Sequence, residues 1–164
     1  MPGNGEYPVA GTYSEHLRSF LLSRGVGHRF IEFDEPVKTV EQAARKVEVE
    51  QIVKSIVLVD SNDAPLLVIL PAKNRISYRK IKTLLGVKDV RLANEDEVLA
   101  YSGFPVGGVP PFNLLRRALV DKEVLKNPLS IAGGGDVNKL VELHTKDIIE
   151  ILKPTITDLT HENR

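Results

Sequence analysis

The sequence contains no cysteine and no tryptophan among its 164 residues. The absence of cysteine excludes thiol nucleophiles, iron–sulfur clusters, cysteine-ligated zinc and a disulfide framework. The chain also lacks net charge, because 22 Lys and Arg residues balance 22 Asp and Glu residues. This balance argues against nucleic-acid binding driven by overall charge. The longest apolar runs, 56–59 and 66–70, are far shorter than the ~20 residues that a membrane-spanning helix needs.

Length and composition predict one globular domain. Hydrophobic residues make up 42% of the chain and charged residues 27%, a balance typical of a folded protein. At about 100–200 residues per domain, one domain is expected. We expect a flexible lead-in over 1–13, where Gly and Pro are frequent, a domain over 14–153 and a tail over 154–164. The start shows no signal-peptide pattern, so we expect a cytoplasmic protein.

Local patterns predict an α+β fold, with a mixed, mainly antiparallel sheet flanked by helices. Five residues are predicted to cap the starts of helices: Ser14, Thr39, Ser77, Asn94 and Thr145. Gln42 completes a capping box with Thr39, whose helix is expected to extend to about Val47, and Glu97 completes one with Asn94. The helix after Ser77 is expected to bury Ile81, Leu84 and Leu85 and to end at Gly86. Strands are predicted at 28–34, 55–60, 66–70, 90–92, 114–120, 129–132 and 140–143, the second and third forming a hairpin.

Histidine offers no pattern typical of metal binding or of general base catalysis. The four histidines lie far apart in the sequence, at positions 16, 28, 144 and 161, without a metal-ligand spacing. The sequence also has no nucleophile-elbow motif for a catalytic serine. We therefore expect neither a metal nor a cofactor.

Two glycine-rich segments are candidates for a site. Segment 102–112 combines two consecutive glycines with two prolines, and such a rigid loop can aim backbone amides at an anion or a developing oxyanion. Its alternative is a buried turn packed by Phe104 and Phe112. Segment 132–135 could let a ligand approach the backbone closely, or it could be a flexible hairpin.

Basic residues supply two further candidates. Lys54 enters an apolar strand, where its ammonium either meets an anion or extends into solvent. From 71 to 91 the chain carries seven basic residues and one acid, a clustering suited to a phosphate backbone or to a solvated helix face. Five of these residues are predicted to contact phosphates: Lys73, Arg75, Arg79, Lys80 and Lys82.

These segments, taken in order, resemble the YbaK/ProX family, the free-standing relatives of the editing domain of bacterial prolyl-tRNA synthetase. The resemblance extends from about residue 14 to 152. Its supporting segments are 39–44, 52–59, 84–86, 90–93, 102–112, Asp121 and 132–134.

The resemblance implies an aminoacyl-tRNA deacylase that hydrolyses the 3′-terminal ester of mischarged tRNA. It implies that Lys54 holds the terminal adenosine and its phosphates, that Gly107 and Gly108 direct amides at the oxyanion, and that the tRNA ribose hydroxyl helps to activate water. The expected partners are the tRNA acceptor end and an aminoacyl-tRNA synthetase. Further substrate contacts are expected from Ser55, Phe104, Val106, Pro111, Ala132, Gly133 and Gly134.

The sequence departs from the family pattern at two positions. Ala132 stands where some relatives carry a hydroxyl residue, and Asp136 matches an acidic position only after a local shift. The identity of the amino acid removed therefore stays open. Two alternatives also stay open: a catalytically silent module that binds the tRNA end or a nucleotide, and a structural interaction protein.

Overall fold

The structure is a computed structural model that describes residues 13–161. Its α-helices are α1 Tyr13–Ser23, α2 Val40–Ala43, α3 Tyr78–Leu85, α4 Glu95–Ser102 and α5 Thr145–Leu152. Its strands are β1 His28–Glu32, β2 Val53–Asp60, β3 Pro65–Pro71, β4 Val90–Leu92, β5 Ala118–Asp121, β6 Leu129–Gly134, β7 Asp136–His144 and β8 Thr155–Thr157. Two short 3₁₀ helices span Val49–Gln51 and Lys122–Lys126. Within this part of the chain, every helix is too short or too polar to cross a membrane.

The strands form two sheets. A three-stranded sheet has the order β1–β7–β6, and both of its pairs are antiparallel. A five-stranded sheet has the order β4–β2–β3–β5–β8, in which β3–β5 and β5–β8 are parallel and the other two pairs are antiparallel. The predicted α+β class with a mixed, mainly antiparallel sheet is confirmed.

The hairpin β2–β3 lies at the centre of the five-stranded sheet, and both of its faces are covered. Val57 and Ile69 face the larger core, which includes residues of α1 and of the three-stranded sheet. Leu58 and Val68 face the opposite side, where Ile81 of α3 packs against them. This alternation follows the two-residue period of a strand and explains why the hairpin reads as nearly continuous apolar sequence.

Three of the predicted helix caps are confirmed. Thr39 with Gln42, and Asn94 with Glu97, form complete capping boxes, and the hydroxyl of Ser77 accepts a hydrogen bond from the amide of Lys80. Helix α2 is shorter than predicted, since it ends at Ala43 and turns follow to residue 46.

Ser14 and Thr145 were wrongly predicted as caps, because their hydroxyls serve tertiary contacts. Ser14 lies inside α1 and donates to the carbonyl of Gly134 at 2.7 Å. Thr145 is the first residue of α5, preceded by His144, and its Oγ1 donates to the carbonyl of Asn127 at 2.6 Å. Both hydroxyls are buried, so they satisfy distant buried carbonyls instead of their own helix ends.

Two other predictions also need correction. The strand predicted over 114–120 is confined to β5, because Asn113 folds the preceding chain into a loop: its side chain donates to Pro110 and accepts from the amide of Leu115. Leu84 is 42% exposed, whereas Ile81 is fully buried. Helix α3 is short, and Ile81 and Leu85 at i and i+4 form its buried stripe.

The C-terminal segment is part of the fold. Strand β8 pairs with β5, and Leu159 is fully buried beside Leu58 and Leu119. The carboxylate of Asp121 accepts a 2.7 Å hydrogen bond from the amide of Leu159. Residues 155–157, expected to belong to a tail, therefore complete the five-stranded sheet, and Leu159 of the same segment belongs to the core on one face of that sheet. Most of the expected lead-in, residues 1–12, lies outside the described residues, and Tyr13 already belongs to α1.

Candidate functional site at the open edge of strand β2

A cavity of about 380 Å³ lies where strand β2 has a free edge. Strand β4 pairs with β2 only from Leu58 to Asp60, and β6 forms one parallel bridge, between Ile131 and Ile52, the residue just before β2. Ser55 is paired with Ile69 of β3 on one side, but on the other edge of β2 no strand in the described part of the chain pairs with it. The cavity therefore lies between the two sheets and is open to solvent.

The cavity lining combines polar and apolar residues. Its polar side chains are those of Lys38, Thr39, Lys54 and Ser55. The remaining lining is apolar or backbone, and comes from α2, from the glycine loop and from the two sheets: Val37, Val40, Ala43, Ile52, Val53, Ala72, Gly107, Val109, Gly133 and Leu140. Such a lining suits a ligand that joins a polar or charged group to a small apolar group.

Lys54 is a half-buried cation that no carboxylate of the described residues neutralises. Burial lowers the pKa of its ammonium below the ordinary lysine value, and the positive charge of Arg75 lowers that pKa further. None of the carboxylates in the described residues forms an ion pair with it. An anionic ligand beside Lys54 would compensate both the burial and the repulsion from Arg75.

Ser55 contributes an unsatisfied polar group at the cavity wall. Its Oγ is buried and has no hydrogen-bond partner in the described structure. Buried hydroxyls are normally hydrogen-bonded, so this exception identifies Ser55 as a position where a ligand or a water can supply the missing partner.

The two glycines of the loop differ in what they can do. Gly107 lines the cavity with a φ of +90°, and no hydrogen bond within the described residues occupies its amide. The amide of Gly108 instead donates to the carbonyl of Pro105 at 2.9 Å. A side chain on Gly108 would place its Cβ 2.1 Å from the carbonyl oxygen of Gly135. The expectation that Gly108 directs its amide at an oxyanion is therefore corrected, because this glycine closes a turn and permits close packing.

The second glycine segment packs against this loop. A Cβ on Gly133 would lie 2.4 Å from the carbonyl oxygen of Val109, and one on Gly134 would lie 2.8 Å from the backbone of Lys139. Gly133 also lines the cavity, as expected for a substrate contact, whereas Gly134 does not. Of the two alternatives for segment 132–135, the flexible hairpin is not found, because the segment forms a tightly packed bulge.

Four other predicted substrate contacts do not line the cavity. Phe104 is buried and packs beside the Tyr13 ring at 6.2 Å, and Ala132 is fully buried in the main core. Pro111 is buried as well, and Val106 is 51% exposed on the surface of the loop. Alternation along β6 explains Ala132, since its neighbour Gly133 faces the opposite side of that sheet.

Sequence reasoning missed the wall formed by residues 37–43. The Thr39 capping box holds this wall in place, with Oε1 of Gln42 accepting from the amides of Lys38 and Thr39 at 2.7 and 3.1 Å. Segment 39–44 was part of the family resemblance, and Lys38 directly precedes it. The sequence signal for this wall was the basic residue Lys38 beside the predicted helix cap Thr39.

The predicted phosphate contacts divide into two groups. Lys73 pairs with Glu50, and Lys80 pairs with Asp158 at 2.7 Å, so a carboxylate already neutralises each of these lysines. The other three form no ion pair within residues 13–161: Arg75, Arg79 and Lys82. Of these, Arg75 lowers the pKa of Lys54 through its positive charge.

Among the described residues, the side chains that line the cavity include no carboxylate and no imidazole. Asp136, which matched a family acid only after a shift, is buried elsewhere and accepts a 3.4 Å hydrogen bond from the amide of Ser14. Nor do three or more His, Asp or Glu residues of the described region converge in a way that could hold a metal ion.

The fold and the cavity define an α+β domain that presents a lysine beside a glycine loop. A family model for the aminoacyl-tRNA editing domain matches residues 34–151. The chain belongs to this family of aminoacyl-tRNA editing domains, and the predicted resemblance is confirmed.

Individual proteins show the same relationship. The chain is 30% identical over 125 residues to the proline--tRNA ligase of Halalkalibacterium halodurans, an alignment that covers 74% of this chain and 22% of the ligase. It therefore spans about a fifth of such a ligase. The uncharacterized protein YwhH of Bacillus subtilis is 29% identical over 73% of this chain and 78% of its own length.

A solved structure matches nearly the whole chain. It belongs to a protein proposed to be a trans-editing enzyme for prolyl tRNA synthetase, with a TM-score of 0.83 and 29% identity over 94% of this chain and all of the other.

Proposed function

We propose that this protein hydrolyses the ester that joins a wrong amino acid to the 3′ end of a tRNA, acting in trans. The observation that carries the proposal is the unpaired, half-buried ammonium of Lys54 at the mouth of the cavity, in a chain that belongs to the editing-domain family. A tRNA acceptor end supplies the anion that this ammonium lacks, and the esterified amino acid supplies a small group for the cavity.

Lys54 places the substrate in this proposal. Its ammonium contacts the terminal adenosine or its phosphate, which positions the ester beside the glycine loop. One charge-assisted hydrogen bond of this kind contributes roughly 1.5–3 kcal/mol.

Gly107 is the oxyanion donor in the proposal. Its amide is free within the described residues, and the loop that carries it is held by the Gly108 turn. A preorganised backbone amide aimed at the developing charge contributes about 3–4 kcal/mol to an acyl-transfer step. We assign the activation of water to the neighbouring ribose hydroxyl of the tRNA itself.

The three unpaired cations near α3 bind the tRNA backbone in this proposal: Arg75, Arg79 and Lys82. The similarity to proline--tRNA ligases makes tRNAPro the first tRNA to test, and prolyl-tRNA synthetase the first partner.

A deacylation assay tests the proposed function. The substrate set is tRNAPro carrying alanine, serine, cysteine or proline, and loss of the amino acid is measured against uncatalysed decay. The proposal predicts catalysed loss of at least one non-cognate amino acid with prolyl-tRNAPro left intact. Tight binding of tRNA with no catalysed loss would identify the alternative, a silent binding module. Absence of both binding and loss would contradict both.

A further inference from the structure

The free edge of β2 offers a paired donor and acceptor that the proposed chemistry has not used. In an antiparallel pair, successive residues of a strand direct their amide and carbonyl to opposite sides. The amide of Asp60 donates to the carbonyl of Ala64, and the carbonyl of Ile52 accepts from the amide of Ala72. The backbone amides and carbonyls of the even-numbered residues from 52 to 60 therefore point toward β3. The carbonyl of Val57 accepts from Ala93 on the other side.

Ser55 follows the pattern of Val57, so its amide and carbonyl point away from β3. Strand β4 does not extend to this position, and the bridge to β6 lies three residues earlier at Ile52. Ser55 lines the cavity, and therefore its backbone donor and acceptor border the space in which a ligand would lie.

We infer that the aminoacyl group binds as a single added strand residue opposite Ser55, an inference that rests on the proposed function. In a hydrogen-bonded antiparallel pair, two opposed residues exchange both backbone hydrogen bonds. An aminoacyl ester has the same two groups: its α-ammonium donates to the Ser55 carbonyl, and its ester carbonyl accepts from the Ser55 amide.

This arrangement also places the amino-acid side chain. Directly opposed residues of a pair have their side chains on the same face of the sheet. The side chain of the substrate therefore lies beside that of Ser55, on the face that also carries Val53. The size of residue 55 limits the size of the acyl group, and the buried Oγ of Ser55 has no hydrogen-bond partner among the described residues.

The α-ammonium is the group that distinguishes this binding mode from recognition of the side chain alone. We compare two matched pairs of esters on tRNAPro: alanine against propionic acid, and 2-aminobutyric acid against butyric acid. Each rate is divided by the spontaneous hydrolysis rate of the same ester, because an α-ammonium activates the ester by itself. We expect the rate enhancement to fall about ten- to a hundredfold in each pair when the ammonium is removed, as for one charge-assisted hydrogen bond.

Backbone variants locate the contact. Replacing Ser55 by its α-hydroxy acid counterpart removes the amide and retains the side chain, and should lower the enhancement for the alanine ester at least tenfold. The matched control is the same replacement at Leu92, whose amide lies on the outer edge of β4 and whose side chain is 58% exposed. Ser55→Ala should retain the preference for the ammonium, because the backbone carries that preference.

The outcomes separate this inference from the proposed function. Equal enhancements for the amino and desamino esters would overturn the inference and leave the deacylase standing. An equal loss at positions 55 and 92 would also overturn it. If neither these four esters nor the serine and cysteine esters on tRNAPro are hydrolysed faster than they decay, the proposed function and this inference both fail.

Discussion

The amide of Gly135 donates a 2.8 Å hydrogen bond to the carbonyl of Gly108, and this contact joins the two glycine segments across the cavity wall. The approach is so close that a Cβ on Gly108 would lie 2.1 Å from the carbonyl oxygen of Gly135. One glycine thus holds the loop against the β6–β7 turn, while its neighbour Gly107 is left open toward the cavity.

Substitution at Gly108 should act mainly on stability. A methyl group there must displace backbone, so Gly108→Ala should lower the free energy of unfolding by about 1–3 kcal/mol or more, as overpacking does. Urea unfolding measures this loss.

Gly107→Ala is the comparison variant. Its Cβ meets only the Val137 side chain, in ordinary van der Waals contact at 3.6 Å, but the φ of +90° strains any residue with a side chain. We expect the deacylation rate of the folded protein to fall more in Gly107→Ala than in Gly108→Ala. The reverse order, with a stable but inactive Gly108→Ala, would return the oxyanion role to Gly108.

Leu159 should be essential to the five-stranded sheet. Its side chain is fully buried, so Leu159→Ala should cost about 2–5 kcal/mol of folding free energy. The control is Ile156→Ala, at a side chain 37% exposed in the same segment, which should cost clearly less. Thermal and urea unfolding of the wild type and both variants check the difference. A Leu159→Ala protein as stable as the wild type would show that Leu159 does not contribute to the core.

The Asp60–Arg117 pair should make stability depend on pH. The hydrogen bond from Arg117, at 2.9 Å, holds the pKa of the Asp60 carboxyl below its usual range. A carboxyl with a lowered pKa in the folded state stabilises the fold above its unfolded pKa of about 3.9, and this contribution is lost as the pH falls through the folded pKa.

The variant Asp60→Asn measures that contribution. Its deficit in unfolding free energy against the wild type should be full near pH 7 and should shrink below pH ~4, where the Asp60 carboxylate of the unfolded chain takes up a proton before that of the folded protein does. A deficit that does not change between pH 7 and pH 3 would show that the ionised pair contributes nothing to stability.

The three unpaired cations near α3 should bind the phosphates of the tRNA backbone: Arg75, Arg79 and Lys82. Arg79→Gln combined with Lys82→Gln should weaken tRNAPro binding and reduce the slope of log affinity against log salt by roughly 1.5–2, since each lost phosphate contact removes part of the counterion release. The matched control, Arg29→Gln with Lys126→Gln, removes the same charge from two ion-paired residues. Equal effects in the two double variants would mean that overall charge, and not this surface, binds tRNA.

Local features of the fold were predictable because neighbours in sequence create them. The Thr39–Gln42 and Asn94–Glu97 capping boxes and the β2–β3 hairpin need only residues within a few positions of one another. Ser14 and Thr145 looked the same in sequence, but their hydroxyls bond to residues 120 and 18 positions away. Local rules give no information on such contacts.

The candidate site was partly predictable for the same reason. Lys54, Ser55, Gly107 and Gly133 do line one cavity. The packing role of Gly108 depends on Gly135, which lies in the turn between β6 and β7, and no spacing rule connects the two. The wall at 37–43 needed the third dimension as well, because it reaches the cavity by packing against the three-stranded sheet.

Lys54→Ala should slow deacylation without unfolding the protein, because a half-exposed lysine near the start of a strand contributes little to the core. Lys54→Arg should restore the rate only in part, since the planar guanidinium directs its donors differently from a point-charge ammonium. Circular dichroism and melting temperature establish that both variants are folded.

Single-turnover deacylation of mischarged tRNAPro, with wild-type and Lys54→Ala protein in saturating excess, tests the central claim most directly. The amino acid used is the one that the wild-type protein removes fastest. The account predicts a rate about ten- to a hundredfold lower for Lys54→Ala, the loss expected for one charge-assisted contact. A folded Lys54→Ala protein that deacylates at the wild-type rate would contradict the account.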